Sequence, residues 1–229
     1  MLNALQDYWL TLFYGFPVFG WVPTHNQNHH KFINREGDYT ITYRVSEKNN
    51  LWTLLSYPAV SSYWQQRPIG AFLTRAWRTQ RSRFWYCLSQ YAVLGLWIGV
   101  ALLIDWRKAL LYVVLPQQVA LFSVLVFNYL QHVGADEESE WEHSRDIVSP
   151  LMNLFLFNNG LHTAHHAKPG QHWSELPAEH AKIRDKLNPV LIEKSLLWFL
   201  LRTYLIAPVV PALRRPSLRV TRRQQAPAD

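Results

Sequence analysis

Cysteine is nearly absent from this chain: Cys87 is the only one in 229 residues. That excludes a disulfide framework and any zinc or iron–sulfur site built on thiolates. Cys87 lies in an apolar run, which marks a small buried residue and not a nucleophile. A nucleophile elbow, a phosphate-binding loop, a dinucleotide fingerprint and an HExxH motif are also missing. There is no internal repeat and no low-complexity tract. The start, MLNALQDYWLTLFYG, lacks a positive n-region and an A-x-A-like site, so no cleavable signal peptide is expected. Charged residues make up only 17%, and they lean to one sign, for a net charge of +7.

What is abundant is apolar. Hydrophobic residues make up 49% and aromatics 14%, with 11 each of Trp, Tyr and Phe. The mean hydropathy of −0.13 fits a protein that is part membrane and part polar cap. The positive charge suits an anionic partner, and the oily runs favour lipid head groups over nucleic acid. Phe84 to Ile104 holds no charge in 21 residues. As a helix that run would reach about 31 Å, enough to cross a bilayer core. Ala109 to Gln131 is a second uncharged run, interrupted only by Pro116, Gln117 and Gln118. The intervening DWRK predicts a hairpin of two spans, about 84–104 and 109–131. Arg67, Arg75, Arg78, Arg81 and Arg83 precede it, against Arg107 and Lys108 in the turn. By the positive-inside rule both outer ends of the hairpin are cytoplasmic.

Residues 8 to 24 are uncharged but broken by Gly15, Pro17, Gly20 and Pro23, which predicts a re-entrant or half-span over about 8–22. Residues 49–66 read as an interfacial segment. Near the C-terminus, Lys194 and Arg202 at an eight-residue spacing share roughly one face of an interfacial amphipathic helix. Residues 211–229 read as a basic disordered tail. The rest, 1–210, is expected to form one domain.

Seven of the ten histidines fall in three places. His25, His29 and His30 form HNQNHH; on an α-helix His25 and His29 share a face, with His30 about 100° round. His132 ends the second span, in NYLQH. His162, His165 and His166 form HTAHH, a tighter triplet. Thr24 is a candidate helix cap, and Asn159-Gly160 a turn before the last triplet. Neutral imidazole is the commonest metal ligand, and by this topology all three places lie at the cytoplasmic membrane boundary, where one metal site can gather them. Two other metal readings are weaker. Glu140 and His143 supply one ExxH, but carboxylate di-iron bundles need two, with further glutamates, and DEESEWEH reads as a solvated acidic segment. A zinc hydrolase needs about three histidines and an open water position, fewer than are present.

HNQNHHKFINREGD, NYLQHVGAD and NNGLHTAHHAKPGQHWSELP resemble motifs of the membrane fatty acid desaturase superfamily, which also contains integral-membrane alkane hydroxylases and carotenoid ketolases. The resemblance runs from about Tyr8 to Ala181. It implies an all-α integral membrane helical bundle with a cytosolic helical cap and a histidine-box centre of two iron ions, with dioxygen as co-substrate. His25, His29 and His30 match the second box; His162, His165 and His166 match the third. Asn128 and His132, spaced NxxxH, match an extra histidine ligand and an asparagine that holds a metal-bound water in some desaturases. The first box belongs a few tens of residues before His25, where this chain has 24 residues and no histidine, so an N-terminally truncated copy is expected. His143 or His172 as a substitute ligand is the lesser alternative. His172 is expected to support the third box by a hydrogen bond, and His180 to lie at the surface.

Taking hydrogen from an unactivated methylene is beyond any side-chain acid or base and needs oxygen activated at a redox metal. The expectation is therefore oxygen-dependent desaturation of a fatty acyl chain of a membrane lipid or acyl thioester. The alternatives are a hydroxylase or ketolase of alkane, fatty acid or carotenoid, or an inactive remnant. No flavin, haem or iron–sulfur motif is present, so the resemblance implies an external electron donor, a ferredoxin or cytochrome b5-like protein. Arg75, Arg78, Arg81 and Arg83 either steer that donor or, the favoured reading, anchor to anionic lipid.

Overall fold

The computed structural model describes residues 2–226. Helices dominate: α1 (Leu2–Tyr14), α2 (His30–Phe32), α3 (Leu51–Thr79), α4 (Arg81–Ala109), α5 (Leu115–His132), α6 (Pro150–Phe155), α7 (His162–Ala167), α8 (Leu176–Ile183), α9 (Leu196–Leu200) and α10 (Leu218–Gln225). Strands among the described residues are limited to β1 (Asp146–Ile147) and β2 (Ile192–Glu193), which pair in parallel. The chain divides into two compact units. One comprises the chain up to Lys31 with Pro58–Phe127, the other Phe32–Tyr57 with the chain from Asn128 on.

The first unit is built inside out. Leu2, Leu5, Trp9 and Phe13, at helical spacing along α1, are all exposed. The opposite face of α1 is polar. Tyr86 donates to Asp7 Oδ2 at 2.6 Å, Tyr8 meets Ser89 at 2.6 Å, and buried Thr11 lies 3.4 Å from Gln90 Oε1. A helix with polar contacts within and apolar side chains without suits a lipid surrounding. α1 stops at Gly15, whose φ of +78° is costly for any other residue and whose backbone lies so close to Gln117 that an added Cβ would sit 2.5 Å from that side chain.

Gln117 Nε2 in turn donates to Leu12 O at 2.7 Å, while Gln90 reaches Thr11, the residue just before it in α1. A straight helix from 90 to 117 would be about 40 Å long, so the chain must double back between them. It does so at Asp105, whose φ and ψ of −159° and 99° break the helix. The Asp105 carboxylate accepts from the backbone of Arg107 and Lys108, both at 3.1 Å, and so caps the returning arm. The Lys108 N–H holds that carboxyl below the ordinary carboxylate range. The expected hairpin is therefore present, with its turn at the DWRK sequence. By length and composition, Arg81–His132 is the one stretch among the described residues apolar enough to cross a membrane. Only 6% of its most apolar window is buried, where the core helix of a soluble protein would be mostly covered. Cys87 is buried with Phe19, Ile69 and Phe72, a packing role as expected.

Four expectations change. The segment at 49–66 is the start of a helix that runs on to Thr79, straight through Pro58 and Pro68. Lys194 and Arg202 do not share a face: β2 ends just before exposed Lys194, and Arg202 turns inward to Glu193, 2.6 Å away and buried. The basic tail is not disordered through its length, because it carries α10. Arg219 pairs with Glu137 and Glu47, and Arg222 bonds Asp136 at 2.7 Å and Glu137 at 2.9 Å. Asp136 and Glu137 are buried, so the acidic segment expected to be solvated owes its charge balance to α10. Residues 227–229 of that tail lie outside the described residues.

Removing one of two cations from a buried carboxylate weakens its hold at about 1–3 kcal/mol, and Glu137 keeps Arg222 when Arg219 is removed. Arg219→Ala should therefore lower the unfolding midpoint of the purified protein by several degrees. Arg223→Ala, which breaks only the exposed 3.1 Å pair with Glu47, should cost under about 1 kcal/mol. Thermal unfolding of the two variants side by side checks this.

Candidate metal centre

In the first unit the segment Val22–His29 is π-helical and leads into α2. Pro23 falls at its start. The His30 N–H bonds back to His25 O, five residues earlier, the wider turn of a π-helix. This changes the expected geometry. The wider turn brings the fifth residue, as well as the fourth, over the first, so His30 joins His25 instead of lying 100° round. The His25 and His30 rings are 4.5 Å apart between centroids and perpendicular, and His25 to His29 is 5.5 Å. The ligand atoms of His25 and His30 lie within 4.8 Å of each other. His29 is buried, the other two partly so. Thr24 does not cap this helix; its hydroxyl donates to Gly20 O at 2.7 Å.

In the second unit three imidazoles converge. His132 Nε2 lies 3.0 Å from His162 Nε2, and His166 Nε2 lies 3.2 Å and 3.1 Å from these. All three rings are buried. His132 Nδ1 is 3.0 Å from the carbonyl of His143. A carbonyl can only accept, so Nδ1 carries the proton and the neutral ring offers a bare lone pair at Nε2. A first-row metal bound at about 2.1 Å from each nitrogen would set them roughly 3.0–3.4 Å apart, the edge of a coordination polyhedron. The observed spacings match, so these residues fit a metal. With no thiolate and no carboxylate among them, the set suits a borderline metal such as iron or zinc. His165 is half-buried, its ring stacked on His162 at 5.6 Å. Asn128, one helical turn before His132, donates to Tyr57 Oη at 2.6 Å, and Tyr57 donates to Thr40 O.

Two histidines left outside the boxes prove to be built in. His143 is buried, its ring 5.5 Å from that of His166, and its carbonyl orients His132. His180 is not a surface residue: its Nε2 meets buried Asp146 Oδ2 at 3.1 Å. A lone histidine in an acidic run, or in AEHAK, carries no local signal of either role. His172, by contrast, takes no hold of the third box; its Nδ1 meets Ser174 Oγ at 2.8 Å and serves its own exposed loop.

The fatty acid desaturase family model matches residues 1–198. The chain belongs to the fatty acid desaturase family. No curated protein matches it, and no solved structure does. Membership points to an oxidoreductase of the desaturase type, in a family that typically uses iron, and the buried histidines form a cluster able to hold a metal.

If the converging imidazoles are ligands, His162→Ala should lower iron affinity by at least about tenfold, while His172→Ala should leave it unchanged. Metal analysis of the two purified variants after dialysis against a graded chelator checks both.

Proposed function

We propose that this protein is an oxygen-dependent, di-iron lipid desaturase that introduces a double bond into a fatty acyl chain. His25, His29, His30, His132, His162, His165 and His166 serve as ligands, and Asn128 would hold a metal-bound water. The observation that carries this reading is the trio of buried Nε2 atoms at metal-ligand spacing, in a chain of this family. Bound iron would supply the activation of dioxygen that hydrogen removal from a methylene requires.

The chain's own residues have three tasks. The His143 carbonyl keeps the His132 proton on Nδ1, so that Nε2 stays available. The exposed apolar faces of α1 and of 81–132 hold the protein in lipid, where acyl substrates reside. A pocket of about 600 Å³ in the first unit, between Tyr14, Phe16, Ile69, Leu121, Phe122 and Leu125, is apolar and of a size that takes a lipid chain. The histidine boxes face the cytoplasm, where a ferredoxin or cytochrome b5-like donor delivers electrons. Arg81 stacks over Trp77 with its guanidinium 3.2 Å from the ring centroid, and with Arg75 and Arg83 it meets anionic head groups at the membrane surface.

The test is turnover of an acyl lipid by the purified protein with a chemical or protein reductant, followed by mass analysis of the product. The expected product is lighter by two hydrogens, forms only with oxygen and disappears on iron chelation. A product heavier by one oxygen would make the protein a hydroxylase, and activity under nitrogen or with zinc alone would end the di-iron reading.

A further inference from the structure

His132 is the last residue of α5 and His162 the first of α7. Helix termini are where backbone groups lack intrahelical partners and where the last turn frays. Two imidazoles held 3.0 Å apart from such positions need both termini fixed. The segment between them, HSRDI at 143–147, supplies the fixing residue by residue.

Arg145 holds the end of α5. Its Nη1 donates to Leu130 O at 2.5 Å and to Val133 O at 3.1 Å, and its backbone N–H donates to Gln131 O at 2.6 Å. Three carbonyls around His132 are thus occupied by one residue. The guanidinium is buried beside the Phe199 ring, 4.7 Å from its centroid. Burial draws its pKa down to about 10, which still leaves it cationic at neutral pH, the favourable sign at a helix C-terminus.

Asp146 holds the start of α7. The residue at the capping position, Leu161, has no side-chain acceptor to offer. Asp146 Oδ1 takes that place from a distance, accepting the Thr163 N–H at 2.8 Å. Its Oδ2 is 3.1 Å from His180 Nε2 on α8. On either side, Ser144 Oγ meets Thr163 Oγ1 at 2.9 Å, Ile147 N–H donates to Gly160 O at 2.7 Å, and Gln131 Nε2 donates to Asn159 O at 2.9 Å. Successive side chains of an extended segment leave on opposite sides, so adjacent residues can grip two different helices.

We propose that Arg145 and Asp146 are positioning residues of the metal centre, a two-residue clamp that sets the spacing of His132 against His162 and His166. The proposal rests on the reading of these histidines as ligands. Neither residue touches the metal or the substrate.

The test is cobalt(II) binding by the full chain in detergent, read as affinity and as the visible absorption of the bound ion, with no need for turnover. Asp146→Ala should weaken cobalt affinity by about 10–100-fold and shift the absorption. Asp146→Asn keeps an oxygen acceptor for the Thr163 N–H and should restore most of both. Arg145→Lys keeps the charge but not the fork that serves two carbonyls; it should fold, melt within a few degrees of the parent without metal, and still lose at least about tenfold in affinity. This variant decides the matter if Asp146→Ala does not fold. Parent affinity and an unchanged spectrum in Asp146→Ala or Arg145→Lys would overturn the proposal, as would an Asn variant no better than Ala. Failure of the parent chain itself to bind cobalt would overturn the metal reading, and the clamp with it.

Discussion

A buried imidazole can be a ligand only if its free nitrogen is the one that faces the metal. For His132 that choice is made by one hydrogen bond, from Nδ1 to the carbonyl of His143. Without it the His132 proton can sit on either nitrogen, and the lone pair would not be held at the Nε2 that lies 3.0 Å and 3.2 Å from those of His162 and His166. The carbonyl is backbone, so its position is set by the path of residues 143–147, and that path is set by both helices it ties. The geometry of the converging imidazoles and the folding of the second unit are in this sense one problem.

The first unit answers a different constraint. In lipid, burying apolar surface gains nothing, so helices are held by polar contacts and close approach. The pairs Asp7 with Tyr86, Tyr8 with Ser89, and Gln117 with the Leu12 carbonyl are contacts of this type. Gly15 contributes by letting the backbone come against Gln117. The second unit follows the opposite rule. There the buried groups include Asp136, Glu137, Glu193, Arg145 and Arg202, each tied into hydrogen bonds or ion pairs, as a polar cap requires.

What was legible in the sequence was what short spacing encodes. The runs at 84–104 and 109–131, the break at DWRK and the histidine boxes all repeat at helix periods or interrupt them. What was not legible depends on partners far along the chain. Residues 136 and 137 look solvated until Arg219 and Arg222 arrive from some 80 residues away. Asp146 looks like an ordinary acid until it caps a helix that begins at His162. His30 departs from the α-helical expectation for a local reason: the backbone there is π. Arg202 was misplaced because β2 interrupts the helix on which the spacing was counted.

The two helix termini also differ in sign, and the clamp takes account of that. His132 sits at the negative end of α5, which favours a cation nearby, whereas His162 sits at the positive end of α7, which opposes one. The carboxylate of Asp146 on the Thr163 N–H offsets the unfavourable terminus, and its other oxygen lies 3.1 Å from His180 Nε2. Arg145 adds a positive charge at the other end, but it is spent on the Leu130 and Val133 carbonyls. An acid toward α7 and a base toward α5 thus even out the field of the two helices at the point where the imidazoles of the proposed site converge. The reverse order, Asp-Arg, would place each charge against the helix end of its own sign. The order Arg145-Asp146 therefore adds a modest electrostatic gain to a requirement that is chiefly geometric.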